Sequence, residues 1–211
     1  MGRTSDANER LMDAALDLIW EESYGAVTID DICKKADVKK GSFYYFFDSK
    51  SDLAIAALER FWVEEGKPKM DALFSPSVEP VARIVAYMNH VYESQARIKR
   101  EHGKVLGCPM VAVGSETCAC SEESAVGNKI REMFTRKRRY YESAIRDGVA
   151  DGSIEAGDPA KKAQDLTSVI EGTLTQARIL NDPEIIRSLP DLAMRIIGAK
   201  IPASSPASEK V

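Results

Sequence analysis

Two groups of residues in this 211-residue chain have the types and spacing to do chemistry. The first lies in "VKKGSFYYFFDSK", Val38 to Lys50, where Lys39, Lys40, Ser42, Tyr44 and Tyr45 surround Gly41. Lysine neutralises phosphate or donates to a guanine edge, and serine and tyrosine hydroxyls donate to phosphate. The second lies in "HGKVLGCPMVAVGSETCAC", which gathers His102, Cys108, Cys118 and Cys120. Thiolates are nucleophiles and soft metal ligands.

The cysteine group admits three readings. Buried cysteines act as small hydrophobes. Alternatively, Cys108 is a thiol switch: it stands just before Pro109 at a predicted helix start, where the helix dipole lowers a thiol pKa, and oxidation or alkylation would be the signal. Cys118 and Cys120 would be further thiols. The third reading is a metal sensor using Cys118 and Cys120 with Cys108 or His102, but the spacing is not that of a common zinc module, so no metal is expected. An ordinary apolar ligand remains open as the signal, with Met88, Tyr92, His102, Met110, Met133 and Phe134 as candidate lining residues.

Helical periodicity dominates, so the elements that position these residues are expected to be helices throughout. A first helix is predicted from about residue 6 to 22, with Leu11, Ala14, Ala15, Leu18 and Ile19 as its apolar stripe. Thr28 caps a short second helix whose Ile29, Ile32, Cys33 and Ala36 face inward. The opening stretch forms a third helix, and Ser49 caps a fourth. "SPSVEP" precedes a long helix over about 81–100. A short helix follows "HGKVLGCP", and Ser121 is read as the cap of another long one. Asp158-Pro159 and Asp182-Pro183 begin two further helices, over about 159–181 and 183–200, the last with a bend or split at Pro190. "PASSPASEKV" is polar and Pro/Ser-rich, and residues 201–211 are expected to be a disordered tail.

Two short helices joined by a tight turn suggest a helix-turn-helix, which presents the N-terminal end of its second helix to the major groove. Here that end reads Lys39-Lys40-Gly41-Ser42. Glycine costs about 1 kcal/mol in a helix relative to alanine, and close approach to DNA supplies a reason. Phe43 and Phe47, four apart, are expected to be core. Tyr44 and Tyr45 are expected to face outward, because five consecutive aromatics cannot all point inward. Thr28 and Lys50, each at a helix start, are further candidate phosphate contacts.

The segment "VTIDDICKKADVKKGSFYYFFDSKSDLAIAALE" resembles the DNA-binding domain of the TetR family of bacterial repressors. The shared features are the Thr before the second helix, Lys-Gly-x-Phe-Tyr-Tyr-x-Phe, and Ser-Lys before the fourth. Lys39 departs from the family's frequent small Ser, which implies an added phosphate contact or a changed operator. Phe46 replaces a frequent Tyr or His. "GCPMV" and "ETC" further resemble the electrophile-responsive branch of that family, typified by the N-ethylmaleimide reductase repressor, which implies Cys108 as the sensing thiol and Cys118 as a second.

The resemblance implies an all-α homodimer: a helix-turn-helix DNA-binding domain over 1–50, and a helical effector-binding and dimerisation domain over 51–200. Its last two long helices would form the dimer interface, and Leu166, Ile170, Leu174, Ala177 and Leu180 are the candidate stripe. An unknown small-molecule or electrophile inducer would release it from a palindromic double-stranded operator. No cofactor is expected.

Composition fits this reading without demanding it. The net charge of -4 counts mildly against a nucleic-acid binder, but Lys34, Lys35, Lys39 and Lys40 make a local basic patch. No window is apolar enough for a membrane helix and the N-terminus has no apolar signal core, so no membrane partner and a cytoplasmic location are expected. The basic run "RKRRYYES", Arg136 to Ser143, is read as a solvated helix face balanced by Glu132 and Glu142. The rival classes are a small helical enzyme and an adaptor without a DNA role. The enzyme is disfavoured, because there is no phosphate loop, HExxH or Gly-x-Ser-x-Gly, and only His90 and His102 are available for acid–base work.

Overall fold

The computed structural model describes residues 3–117 and 124–200. They form helices α1 (Arg3–Glu21), α2 (Ile29–Ala36), α3 (Lys40–Phe46), α4 (Lys50–Phe61), α5 (Lys67–Leu73), α6 (Pro80–His102), α7 (Pro109–Thr117), α8 (Ala125–Asp151), α9 (Pro159–Leu180) and α10 (Leu189–Ile197). A π turn, Trp62–Gly66, joins α4 to α5 without a break, and a 3₁₀ turn, Pro183–Ser188, precedes α10. Among the described residues the only β-type pairing is a single bridge between Ile154 and Ala199. The fold is all-α, as expected.

The N-terminal elements follow from local chemistry. Thr28 closes a capping box at α2: its hydroxyl oxygen accepts from the Asp31 N–H at 3.2 Å, and the Asp31 carboxylate accepts the Thr28 N–H at 3.0 Å. That pairing pulls the Asp31 pKa below the usual carboxylate range, chiefly through the Thr28 hydroxyl. Asp37 ends α2 with φ 51°, a left-handed residue that turns the chain into α3. Ser49 caps α4, accepting from the Asp52 N–H at 3.1 Å. Leu11, Ile32, Phe43 and Leu53 are fully buried where these helices meet.

The rest is built on the long helices. α8 packs along α9, and α6 packs against α8 and α10. Gly148 lets the Ile154 loop reach α8, since a Cβ there would stand 2.6 Å from the Ile154 side chain. α4 belongs to both halves, for it packs on α1 and on α8. Glu59 on α4 accepts from Lys129 at 3.0 Å and from Arg136 at 2.8 Å, both on α8.

Several boundaries differ from expectation. The segment after Asp182-Pro183 is 3₁₀, and α10 starts only at Leu189, with Pro190 in its first turn. Ser124 caps α8, its hydroxyl accepting from the Gly127 N–H; Ser121 and the tail 201–211 lie outside the described residues.

Candidate nucleic-acid interface and effector cavity

α3 divides its aromatics by face. Phe43 is fully buried and Phe47 closes the helix against the core, while Tyr44 and Tyr45 are 53% and 76% exposed. Phe46 is intermediate: it packs against the core and meets Tyr45 edge-on at 4.9 Å between ring centroids. Lys39 and Gly41 are exposed at the start of the helix, and no atom would lie within 4 Å of a Cβ on Gly41. Lys40 is exposed and pairs with Asp30 at 2.8 Å. An exposed pair of this kind is weak, so a phosphate can displace it.

Two positions differ from expectation. Lys50 is not a free cation at a helix start. Its ammonium donates to the carbonyls of Tyr24 at 2.7 Å and Val27 at 2.8 Å and lies 4.4 Å from the Tyr24 ring centroid, and burial lowers its pKa. It splints the loop between α1 and α2. At Thr28 the capping box takes up two of the helix-start amides, the Thr28 N–H through the Asp31 carboxylate and the Asp31 N–H through the Thr28 hydroxyl.

Between α4–α5 and α6–α8 lies a cavity of about 830 Å³. Cys108, Met110, Met133, Lys137 and Leu174 line it with Trp20, Trp62, Tyr87, His90 and His102. Three candidate lining residues fall elsewhere. Met88 is fully buried core, and Phe134 is partly buried against that core. Tyr92 donates to Glu184 at 2.8 Å and lies under the Arg187 guanidinium, 4.4 Å from its ring centroid.

The polar group at the cavity was not legible as such. Lys137 is 8% exposed and its ammonium meets Glu171 at 3.1 Å and the Tyr87 ring at 5.6 Å. Burial acts to depress the ammonium, but Glu171, with Tyr141 and Tyr87, outweighs it and holds the Lys137 pKa well above the usual lysine range. Among the described residues, the second Glu171 oxygen and the Tyr141 hydroxyl are buried and meet no well-formed hydrogen-bond partner, though the Tyr87 hydroxyl and the Cys108 thiol lie near them. The solvated-face reading of 136–143 therefore fails at Lys137, which shares the inward phase of Ile130, Met133, Tyr141 and Ala144. That phase was the available signal. Arg136 does pair with Glu132 as expected, whereas Glu142 pairs with Arg146.

Cys108 also departs from expectation. It stands at the start of α7, and the Val111 N–H acts to lower its pKa, but burial dominates and Glu171 adds to it. The thiol is pushed up to about 12 despite the opposing charge of Lys137. Cys108 is 7% exposed. Cys118 and Cys120 lie outside the described residues, and among those described no three His, Cys, Asp or Glu side chains cluster closely enough to hold a metal. No described helix is long and apolar enough to cross a membrane.

The candidate dimer stripe mostly faces inward. Leu166, Ile170 and Ala177 are fully buried and Leu174 is 5% exposed within the single chain, so they hold α9 to its neighbours rather than to a partner. Leu180 is 60% exposed beside Ile179 at 76%.

A capped helix-turn-helix bearing an exposed Lys-Lys-Gly-Ser-x-Tyr-Tyr edge, joined through α4 to a helical domain with a cavity, defines a DNA-binding transcriptional regulator. The chain belongs to the family described as "Bacterial regulatory proteins, tetR family", matched over residues 11–57, with "Tetracyclin repressor-like, C-terminal domain" matched over 80–190. It is 29% identical to the transcriptional regulator AcuR of Cereibacter sphaeroides, across 86% of this chain and 81% of that one. It is 28% identical to the HTH-type transcriptional repressor NemR of Escherichia coli K12, across 82% and 85%. The crystal structure of a regulatory protein TetR from Rhodobacter sphaeroides superposes with a TM-score of 0.79 at 27% identity, across 90% and 98%.

Proposed function

We propose that this regulator is a cytoplasmic homodimeric repressor whose operator is released when the Cys108 thiol is modified by an electrophile or oxidant. The DNA-binding domain occupies 1–50, and the effector and dimer domain 51–200. Lys39, Lys40, Gly41, Ser42, Tyr44 and Tyr45 meet the major groove and its phosphates, and a twofold dimer fits a palindromic site. The dimer surface is the outward side of α9, where Ser168, Gly172, Thr175 and Ile179 are exposed. The observation that carries the thiol reading is the place of Cys108 in the cavity wall, beside a charged pair and a hydroxyl that lack part of their hydrogen bonding. The test is operator binding before and after N-ethylmaleimide treatment. Loss of binding that Cys108→Ser abolishes supports the reading; unchanged release from Cys108→Ser sinks it.

The raised thiol pKa favours a second reading, a noncovalent ligand. A thiol held near 12 is almost wholly protonated at neutral pH and a poor nucleophile. The cavity is large enough for a small organic molecule with an apolar body and a polar end directed at Lys137. Release of operator by a reversible ligand, unaltered in Cys108→Ser, distinguishes it.

A further inference from the structure

The two residues before Cys108 are held by side chains from three separate helices. The indole N–H of Trp20, on α1, is shared between the carbonyls of Leu106 at 3.1 Å and Gly107 at 3.2 Å. The Gln95 amide, on α6, takes both polar groups of Gly107: it donates to the carbonyl at 3.1 Å and accepts the N–H at 2.8 Å. Arg178, on α9, donates to the Leu106 carbonyl at 3.0 Å. Gly107 has φ 68°, a left-handed conformation that glycine adopts without strain.

Trp20 lies at the end of α1, and α1 packs on α2 and α3 of the DNA-binding domain and on α4, which joins the two halves. The loop after α1 is held from the same side: the Gly25 N–H donates to Glu116 of α7 at 2.6 Å. The helix that Cys108 begins therefore grips the end of α1 and the following loop, one contact just before its first turn and one near its far end. Hydrogen bonds weaken steeply when the donor moves off axis, and an indole N–H left without a partner carries a desolvation penalty. A shift of the backbone before Cys108 thus acts directly on the Trp20 contact.

We propose that Trp20 couples Cys108 to the DNA-binding domain: the Trp20–Leu106/Gly107 contact is a clamp that holds α1 in its operator-binding position and opens when Cys108 is modified. The proposal rests on the Cys108 reading above. With N-ethylmaleimide as probe, the thiol sulfur bonds to one alkene carbon, the thiol proton ends on the other, and nothing leaves. The added ring enters the cavity that Cys108 lines, and drawing a 7%-exposed side chain toward it displaces the backbone at 106–108.

The experiment uses the full-length chain with Cys33→Ala, Cys118→Ser and Cys120→Ser, leaving Cys108 as the one thiol. Adduct formation is followed by intact mass, and operator affinity by fluorescence anisotropy before and after modification. The expected ratio of the two affinities lies in the range of about 5–150-fold. Trp20→Phe keeps the ring but not the donor; it is expected to form the adduct fully while the ratio falls toward one. A second measurement does not depend on that variant folding. Trp62→Phe leaves Trp20 as the sole tryptophan, and its emission is expected to shift to the red on adduct formation as the indole loses its buried partners. An unchanged ratio in Trp20→Phe, or an unmoved Trp20 emission in a chain that has released its operator, overturns the clamp and leaves the Cys108 reading intact. A fully modified chain that still holds its operator overturns the Cys108 reading itself, and the clamp with it.

Discussion

Lys137 on α8 and Glu171 on α9 meet at 3.1 Å with side chains only 10% and 13% exposed, and the Cys108 thiol faces both. Each member of such a pair keeps the other's charge tolerable inside the protein. Removing one leaves an uncompensated buried charge, which costs about 3–5 kcal/mol. Lys137→Met is expected to lower stability by that amount in urea unfolding, and the double variant Lys137→Met/Glu171→Leu to recover most of it. Equal loss in the single and double variants would show that the pair is not coupled.

The same pair governs the thiol. With a pKa near 12, raised by burial and by Glu171, the Cys108 thiolate fraction rises about tenfold per pH unit through the neutral and mildly alkaline range. The alkylation rate of Cys108 is expected to follow that slope without a plateau between pH 7 and 10. Glu171→Gln removes a nearby negative charge and is expected to raise the rate at every pH in that range. A plateau near pH 8.5, as for a free thiol, would contradict the buried geometry.

At the DNA face, Lys40→Ala is expected to weaken operator binding and reduce the salt slope by about one. Tyr44→Phe is expected to weaken binding with the slope unchanged, since it removes a neutral donor. Phe43→Ala is different in kind: it opens a hole in the core and costs about 3–5 kcal/mol of stability. Thermal unfolding beside a salt titration separates the two classes.

Lys50 is the position where sequence and structure disagree most usefully. Its ammonium donates to two carbonyls of the α1–α2 loop. Lys50→Met is expected to cost about 1.5–3 kcal/mol of stability, as for hydrogen bonds to a charged group. The salt slope of operator binding should not change. A slope reduced by about one would restore Lys50 to the phosphate contacts.

On α9 the inward and outward faces predict opposite phenotypes. Ile179→Asp is expected to break the dimer in analytical ultracentrifugation with the monomer still folded. Leu166→Ala is expected to cost about 2–5 kcal/mol without changing the oligomeric state. A dimer that survives Ile179→Asp places the interface elsewhere.

The N-terminal half of this arrangement was legible because its signals are local. Thr28 and Ser49 cap their helices through backbone groups three residues away, and a four-residue spacing is enough to bury Phe43 and Phe47. The misreadings share a different cause. The carbonyls that hold Lys50 lie more than twenty residues upstream. Lys137 sat inside a run of charges, where its residue type outweighed its helical phase. The α9 stripe announced burial correctly but could not say against what, because a periodic apolar face looks the same whether its partner is intramolecular or a second chain.

The π turn at Trp62–Gly66 holds one residue more than the α register between α4 and α5. On α4 the inward positions are Leu53, Ala54, Ala57 and Leu58, and unbroken α periodicity would carry them to residues 65 and 69. The buried positions after Trp62 are instead Met70 and Phe74. The π turn thus absorbs the extra residue: the apolar positions come one number late in the sequence while the rod keeps its inward side, α4 on α1 and α8 and α5 on α6. In genetic terms this is a one-codon insertion absorbed by the helix rather than by a loop. Deleting the exposed Val63 would let α periodicity run unbroken and bring Met70 and Phe74 to the inward places 69 and 73, so α5 is expected to keep its packing without the π turn.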